Sequence, residues 1–259
     1  MSYDISEFIT WITDTFEPQM RIDGRKGQYA RSVGETEMEL YGISDMACVL
    51  YTIGALNPSA DELVHWRNGF HSLQDPETGY ILERDPSHSK FHNTAFALGA
   101  MNLLCLKPEH PLHCVVERGT RETLTAFMDD LDWVSKVYGC SHEGAGIASA
   151  AALVPGTVKP EWFGWYFDYL DDLFDPNNGM LGREKAPGGD TDQVGGTFHY
   201  HFIYEYFHRR MPYPEARIDA VLALQAENDN WSGGRSWWMA LDALYLLTRT
   251  ARHHPYRVD

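Results

Sequence analysis

Basic residues are scarce in this 259-residue chain. Lys and Arg number 21 against 37 Asp and Glu, a formal charge of −16. Neutralising a phosphate backbone needs the opposite balance, which argues against nucleic acid and anionic membranes as partners. Cysteine is sparse too. Cys48, Cys105, Cys114 and Cys140 form no CxxC pair, so a zinc ribbon or disulfide scaffold is not indicated, and the thiols read as buried packing groups. No apolar run approaches the ~18 residues of a membrane span. The start, Met1-Ser2-Tyr3-Asp4-Ile5-Ser6, lacks the basic flank and apolar stretch of a secretory signal, so a cytoplasmic location is expected. Alternating apolar and polar residues never persist for more than a few positions, which leaves little from which to build a sheet.

What is plentiful is aromatic surface: 8 Trp, 14 Tyr and 12 Phe. Flat side chains fill large cores and also line pockets. A weak internal repeat organises them. Residues 71–82 read His-Ser-Leu-Gln-Asp-Pro-Glu-Thr-Gly-Tyr-Ile-Leu and residues 171–182 read Asp-Asp-Leu-Phe-Asp-Pro-Asn-Asn-Gly-Met-Leu-Gly. Residues 224–231 are a third copy and 16–27 a diverged fourth. Polar segments with helical spacing precede the turns, at 5–16, 60–74, 120–135, 160–174 and 214–227. More continuously apolar helices follow, at 36–55, 91–106, 142–153, 197–209 and 235–250. A helix that is apolar all round must be surrounded. Five of them are surrounded if they form an inner ring inside the amphipathic ones. The expected fold is therefore all-α, a single-domain α/α toroid of about five helical hairpins. The segment 182–196, with Pro187-Gly188-Gly189, reads as a mobile loop at its mouth.

The repeat, with Gln74-Asp75-Pro76-Glu77-Thr78-Gly79-Tyr80 before the Ala-rich Phe91-His92-Asn93-Thr94-Ala95-Phe96-Ala97-Leu98, resembles the α/α-toroid enzymes. These are the six-hairpin glycosidases, polysaccharide lyases and sugar epimerases, an architecture shared with terpenoid cyclases and protein prenyltransferases. The Asp-Pro-Glu-Thr-Gly string is most similar to repeats of unsaturated uronyl hydrolases. The resemblance implies a small sugar-like substrate. The chain departs from many of these families in offering five hairpins where they have six, and no catalytic pair carries over residue by residue. Asp171-Asp172-Leu173-Phe174-Asp175 matches the acidic string with which class I terpene synthases hold magnesium and diphosphate. Its position before a Pro reads instead as a helix end and turn.

If the inner helices run one way, polar residues in their first two turns converge on one mouth. That selects Glu39, Tyr41 and Asp45; His92 and Asn93; His142 and Glu143; His199 and His201; and Arg235, Trp237, Trp238 and Asp242. Asp45 and Asp242 are acids within apolar helices, where burial raises a carboxyl pKa. They are the candidate acid and base, with His142 and His199 as further proton carriers. Tyr41, His92, Asn93, Glu143 and Arg235 would position substrate, and Trp237 and Trp238 would stack on a sugar ring. The alternative for each is an ordinary packing role. No cofactor is required. A lesser reading places a divalent metal on the stripe His201, Glu205 and His208. Besides a carbohydrate-active enzyme, the same features allow a terpenoid or isoprenoid enzyme and a non-catalytic glycan- or protein-binding scaffold.

Overall fold

The computed structural model describes residues 4–84, 87–182, 190–228, 231 and 237–257. Among them all regular structure is helical, and only three isolated antiparallel bridges stand where a sheet would be. The helices are α1 (Ser6–Trp11), which runs through a π-helical turn into α2 (Glu17–Met20), then α3 (Leu40–Thr52), α4 (Ala60–Ser72), α5 (Lys90–Leu103), α6 (His113–Val116), α7 (Arg121–Asp129), α8 (Val137–Leu153), α9 (Glu161–Asp171), α10 (Asp190–Tyr206), α11 (Pro214–Asn228) and α12 (Trp237–His253). None of the described helices is long and apolar enough to cross a membrane. All ten expected helical segments carry helix, with three shifted starts. α3 begins at 40 instead of 36, α8 at 137 instead of 142, and α10 at 190 instead of 197.

The chain divides into two compact units. The first comprises 1–116 with 150–157, the second 117–149 with 158–259. In the first, α3 packs against α5, and α4 against both. Its core includes Tyr29, Trp66 and Phe70, all but inaccessible to water. In the second, α10 packs against α12, with α11 against both and α7 against α9. On α9, Trp162 and Tyr166, one turn apart, are both buried and stack at 5.4 Å. Each such side chain contributes roughly 1.5–3 kcal/mol on burial.

The sequence repeat is a structural one. In the first unit the Asp75 side chain accepts the amides of Glu77 and Thr78 (3.0 and 2.7 Å), an Asx turn. The Gly79 amide donates to the Asp75 carbonyl (2.8 Å), the Asp75 amide to Tyr80 (2.8 Å) and the Leu82 amide to Leu73 (3.1 Å). The Ile81 amide donates to Thr94 Oγ1 at 3.0 Å, which ties this small hairpin to α5. In the second unit Gly179 donates to Asp175, Asp175 to Met180 and Gly182 to Leu173, at 2.7, 2.9 and 3.2 Å. Leu181 donates to Thr197 Oγ1 of α10 at 3.0 Å. The diverged copy exists as well, but three residues later than the 16–27 alignment places it. There Ile22 donates to Gln28 and Ala30 to Met20, at 2.9 and 3.0 Å, because the preceding helical segment runs on to Met20. In all three copies the turn closes on a glycine of positive φ: Gly27 (90°), Gly79 (79°) and Gly179 (64°). Of the fourth copy, Asp229 and Asn230 lie outside the described residues.

The outer clamp on each turn differs. Gln74 holds the Gly79 and His110 carbonyls (3.0 Å each), whereas Arg217 holds the Gly179 carbonyl through Nε (3.0 Å) and that of Pro212 through Nη2 (2.5 Å). Asp175 spends its side chain on the amide of Asn177 (2.8 Å). Asp171 accepts from Tyr204 (2.6 Å) and pairs with Arg209 (2.5 Å). Both ends of the acidic string therefore hold a helix end and turn. The cysteines divide. Cys140 is buried and its thiol is pushed up to about 12 by burial, so it stays protonated. Cys105 departs from the expectation of burial and is exposed beyond the end of α5.

Candidate acid–base site

Capping fixes where the site helices begin. Glu39 accepts the Tyr41 amide at 2.7 Å, and Ser89 the His92 amide at 3.3 Å. Tyr41 and His92 are thereby set in the first turns of α3 and α5. In the first unit these residues form a directed chain of hydrogen bonds. Asn93, 2 % exposed, donates through Nδ2 to Glu83 (3.1 Å), so its Oδ1 is left to accept from the Tyr41 hydroxyl (3.2 Å). That hydroxyl has spent its proton, so its 3.1 Å contact with His92 Nδ1 requires the imidazole to donate. Burial, with Glu83 and Asp45 nearby, holds Tyr41 well above the usual phenol range and keeps it a donor.

Glu83 is the anchor that sequence reasoning missed. It is a buried loop acid, accepting the amides of Ser87 (2.6 Å) and His88 (2.8 Å) and lying 3.6 Å from Arg31. These hydrogen bonds hold it below its ordinary range against the opposing, larger effect of burial. Asp45 lies one turn further along α3. It is exposed, yet the surrounding protein desolvates its carboxyl enough to push it up to about 6, with Arg31 pulling the other way.

The second unit gathers a different set. Tyr138, in the first turn of α8, stacks on Trp238 of α12 at 4.9 Å with the rings 19° apart. Its ring lies 4.8 Å from His142 and 5.3 Å from His199, and the two imidazoles meet edge to face at 4.8 Å. Ser141 donates to the Tyr138 carbonyl (2.6 Å), so the 2.9 Å contact between its hydroxyl and His199 Nδ1 has the histidine as donor. His199, like His92, thus carries a proton on Nδ1. The Tyr138 amide donates to Asp192 (3.1 Å), and a Cβ on Gly195 would strike the Tyr138 ring. The glycine is what lets the ring lie against α10.

Asp242 completes the set. It is 4 % exposed, no hydrogen-bond partner is found for it among the described residues, and burial alone pushes it up to about 7. Its charge, after burial, helps push Tyr138 up to about 12. Of the residues selected from sequence, the structure thus brings Tyr41, His92 and Asn93 together in one unit, and His142, His199, Trp238 and Asp242 into the neighbourhood of Tyr138 in the other. Glu143 is half-buried beside His142. Trp237 is 81 % exposed, and Arg235 lies outside the described residues. Tyr138 was missed because α8 begins a turn earlier than its apolar pattern indicates. Its spacing of four from His142 was the available signal.

The metal stripe does not form on α10. The helix ends at Tyr206, and His208 lies beyond it with φ 52°. Glu205 accepts from Tyr245 (2.7 Å) and pairs with Arg249 (3.8 Å). Within the second unit, His142 and His199 are the imidazole pair able to share a cation. His201 points elsewhere, as an i, i+2 neighbour of His199 must. Burial, then the Arg217 charge, pushes it down to about 4 against the pull of Glu205. A lowered histidine contributes stability above its unfolded pKa of 6.5, and that stability is lost as pH falls toward 4. Between pH 7 and pH 4, wild type is expected to lose about 3 kcal/mol more unfolding free energy than His201→Gln. Denaturant titrations at the two pH values check this, and parallel losses would refute it.

No family model matches the chain, and no curated protein matches it either. The functional reading therefore stands on the geometry of these two clusters.

Proposed function

We propose that the chain is an α/α-toroid enzyme that acts on a sugar or uronic acid by acid–base chemistry. The observation that carries this reading is the Tyr138–Trp238 stack with a buried carboxyl, Asp242, and two imidazoles around it. A carboxyl at about 7 is divided between acid and base at neutral pH, where a proton carrier is most effective. His199, whose Nδ1 donates to Ser141, is a second proton carrier, and the exposed parts of the aromatic stack offer C–H-binding faces to a sugar ring. The first unit, taken by itself, offers its own polar cluster: Tyr41, His92 and Asn93, ordered by Glu83, are suited to hold polar groups, and Asp45, pushed up to about 6, is a carboxyl able to carry a proton there. A binding scaffold would satisfy its buried acids internally, whereas Asp242 has no such partner among the described residues.

The test is a screen of glycosides, unsaturated uronides and free sugars for hydrolysis, elimination and epimerisation, run on wild type, Asp242→Asn, His142→Ala and His199→Ala. Asp242→Asn is expected to lose roughly 10²–10⁴-fold in kcat. Equal turnover by all four proteins would remove the assignment.

A further inference from the structure

We propose that the second unit carries a separate binding site for a small phosphorylated ligand, in the cavity bounded by the ends of α10 and α12 and the start of α11. This cavity has a volume of about 380 Å³, within the range of small-molecule sites. It shares no lining residue with the Tyr138 cluster, so the inference is independent of the proposed reaction.

Three features point to an oxyanion. The first is Arg217, 1 % exposed, with its Nε and Nη2 committed to backbone carbonyls and its guanidinium 5.7 Å from the Phe174 ring. No carboxylate pairs with it among the described residues. A buried cation without a counter-charge is expensive, and a bound anion would supply one. The second is a pair of unfilled polar atoms. His201 and Thr250, each 4 % exposed, line the same cavity, and neither His201 Nδ1 nor Thr250 Oγ1 has a hydrogen-bond partner. Buried polar atoms are ordinarily satisfied. His201 Nδ1 lies 3.9 Å from the Glu205 carboxylate, whereas Thr250 Oγ1 marks a place for a ligand oxygen. The third is Arg210, which lines the cavity, is exposed and enters no ion pair among the described residues.

The acid in the cavity wall does not oppose this. Glu205 is engaged from α12 by Tyr245 (2.7 Å), Arg249 (3.8 Å) and His253 (3.7 Å). Two guanidinium groups, a hydroxyl and an imidazole, from three helices and the loop before α11, suit a tetrahedral phosphate better than a planar carboxylate, which one arginine fork satisfies. The cavity exceeds a bare phosphate, and Tyr213 and Pro212 provide a wall for an organic remainder. With a net charge of −16 the chain as a whole repels anions, so any affinity is local to this cluster.

The experiment titrates the full chain with glucose 6-phosphate, inorganic phosphate, glucose and sodium chloride at matched ionic strength, by calorimetry and thermal shift. Glucose 6-phosphate is expected to bind and to raise Tm above the salt control, inorganic phosphate to bind more weakly, and glucose to show no binding that Arg210→Ala or Thr250→Val weakens. Arg210→Ala and Thr250→Val are each expected to weaken glucose 6-phosphate roughly tenfold. Neither removes an existing hydrogen bond of the described residues, so both should fold, which their unliganded melting curves check. Overturning results are absence of a shift beyond the salt control, binding of glucose as tight as its phosphate, or unchanged affinity in both variants. Inorganic phosphate binding as tightly as the sugar phosphate would overturn the organic half of the assignment.

Discussion

Asp242→Asn is expected to unfold at higher denaturant than wild type above pH 7, and at nearly the same denaturant near pH 4. Asp242 is buried, and burial pushes its pKa from 3.8 up to about 7. A raised carboxyl contributes stability that is fully present below its unfolded pKa and is lost as pH rises through the folded value. The unfolded chain ionises from about pH 4 upward, while the folded chain pays desolvation for the same ionisation until about pH 7. Three pKa units correspond to roughly 4 kcal/mol. Asn reproduces the neutral acid in shape and cannot ionise, so the advantage of the variant should open between pH 4 and 7 and then level off. Unfolding titrations at pH 4, 5.5, 7 and 8.5 read that curve directly. A difference independent of pH would show that Asp242 titrates normally, and the acid–base proposal would lose its proton carrier. Combined with loss of turnover, the expected curve would mark an acid kept for chemistry at a cost in stability.

The periodic features of the fold were legible because they are local. Trp162, Tyr166 and Tyr169 share a helical face whatever surrounds it, and Asp75-Pro76 and Asp175-Pro176 make the same turn in either unit because the Asx side chain captures nearby amides. The site was legible only in part, because its decisive contacts join distant residues. Asp45 and Asp242 sit in closely similar apolar strings, yet one is exposed and the other buried. That difference arises from the helices packed against them. Tyr138 is held by Asp192, 54 residues later. Glu83 looks like an ordinary loop acid until the amides of Ser87 and His88 close on it. The His201, Glu205 and His208 spacing fails for the opposite reason. It presumes that the helix continues, and α10 stops at Tyr206.

The repeated turn yields the other large expected effect. Gly79 and Gly179 have φ of 79° and 64°, where a residue with a Cβ loses roughly 1–2 kcal/mol. Many glycines share that conformation: Gly54 has φ 73° with nothing within 4 Å of a built Cβ, so Gly54→Ala should cost only about 1 kcal/mol. At Gly79 the added methyl would overlap the Pro111 carbonyl, and at Gly179 it would lie 2.5 Å from the Tyr213 carbonyl and 2.7 Å from the Arg217 amide. These obstacles are backbone, which cannot swing aside as a flexible side chain does, so overpacking adds another 1–3 kcal/mol. Gly79→Ala and Gly179→Ala are each expected to cost about 2–5 kcal/mol, and in different places. Hydrogen exchange should quicken first at 73–82 in Gly79→Ala and at 173–182 in Gly179→Ala, because each turn is tied to its own helix through Thr94 or Thr197. If both variants match Gly54→Ala in stability, the glycines are needed for φ alone. The close seating of each turn on the segment behind it would then contribute nothing to holding Thr94 and Thr197, and through them α5 and α10, each in register within its own unit.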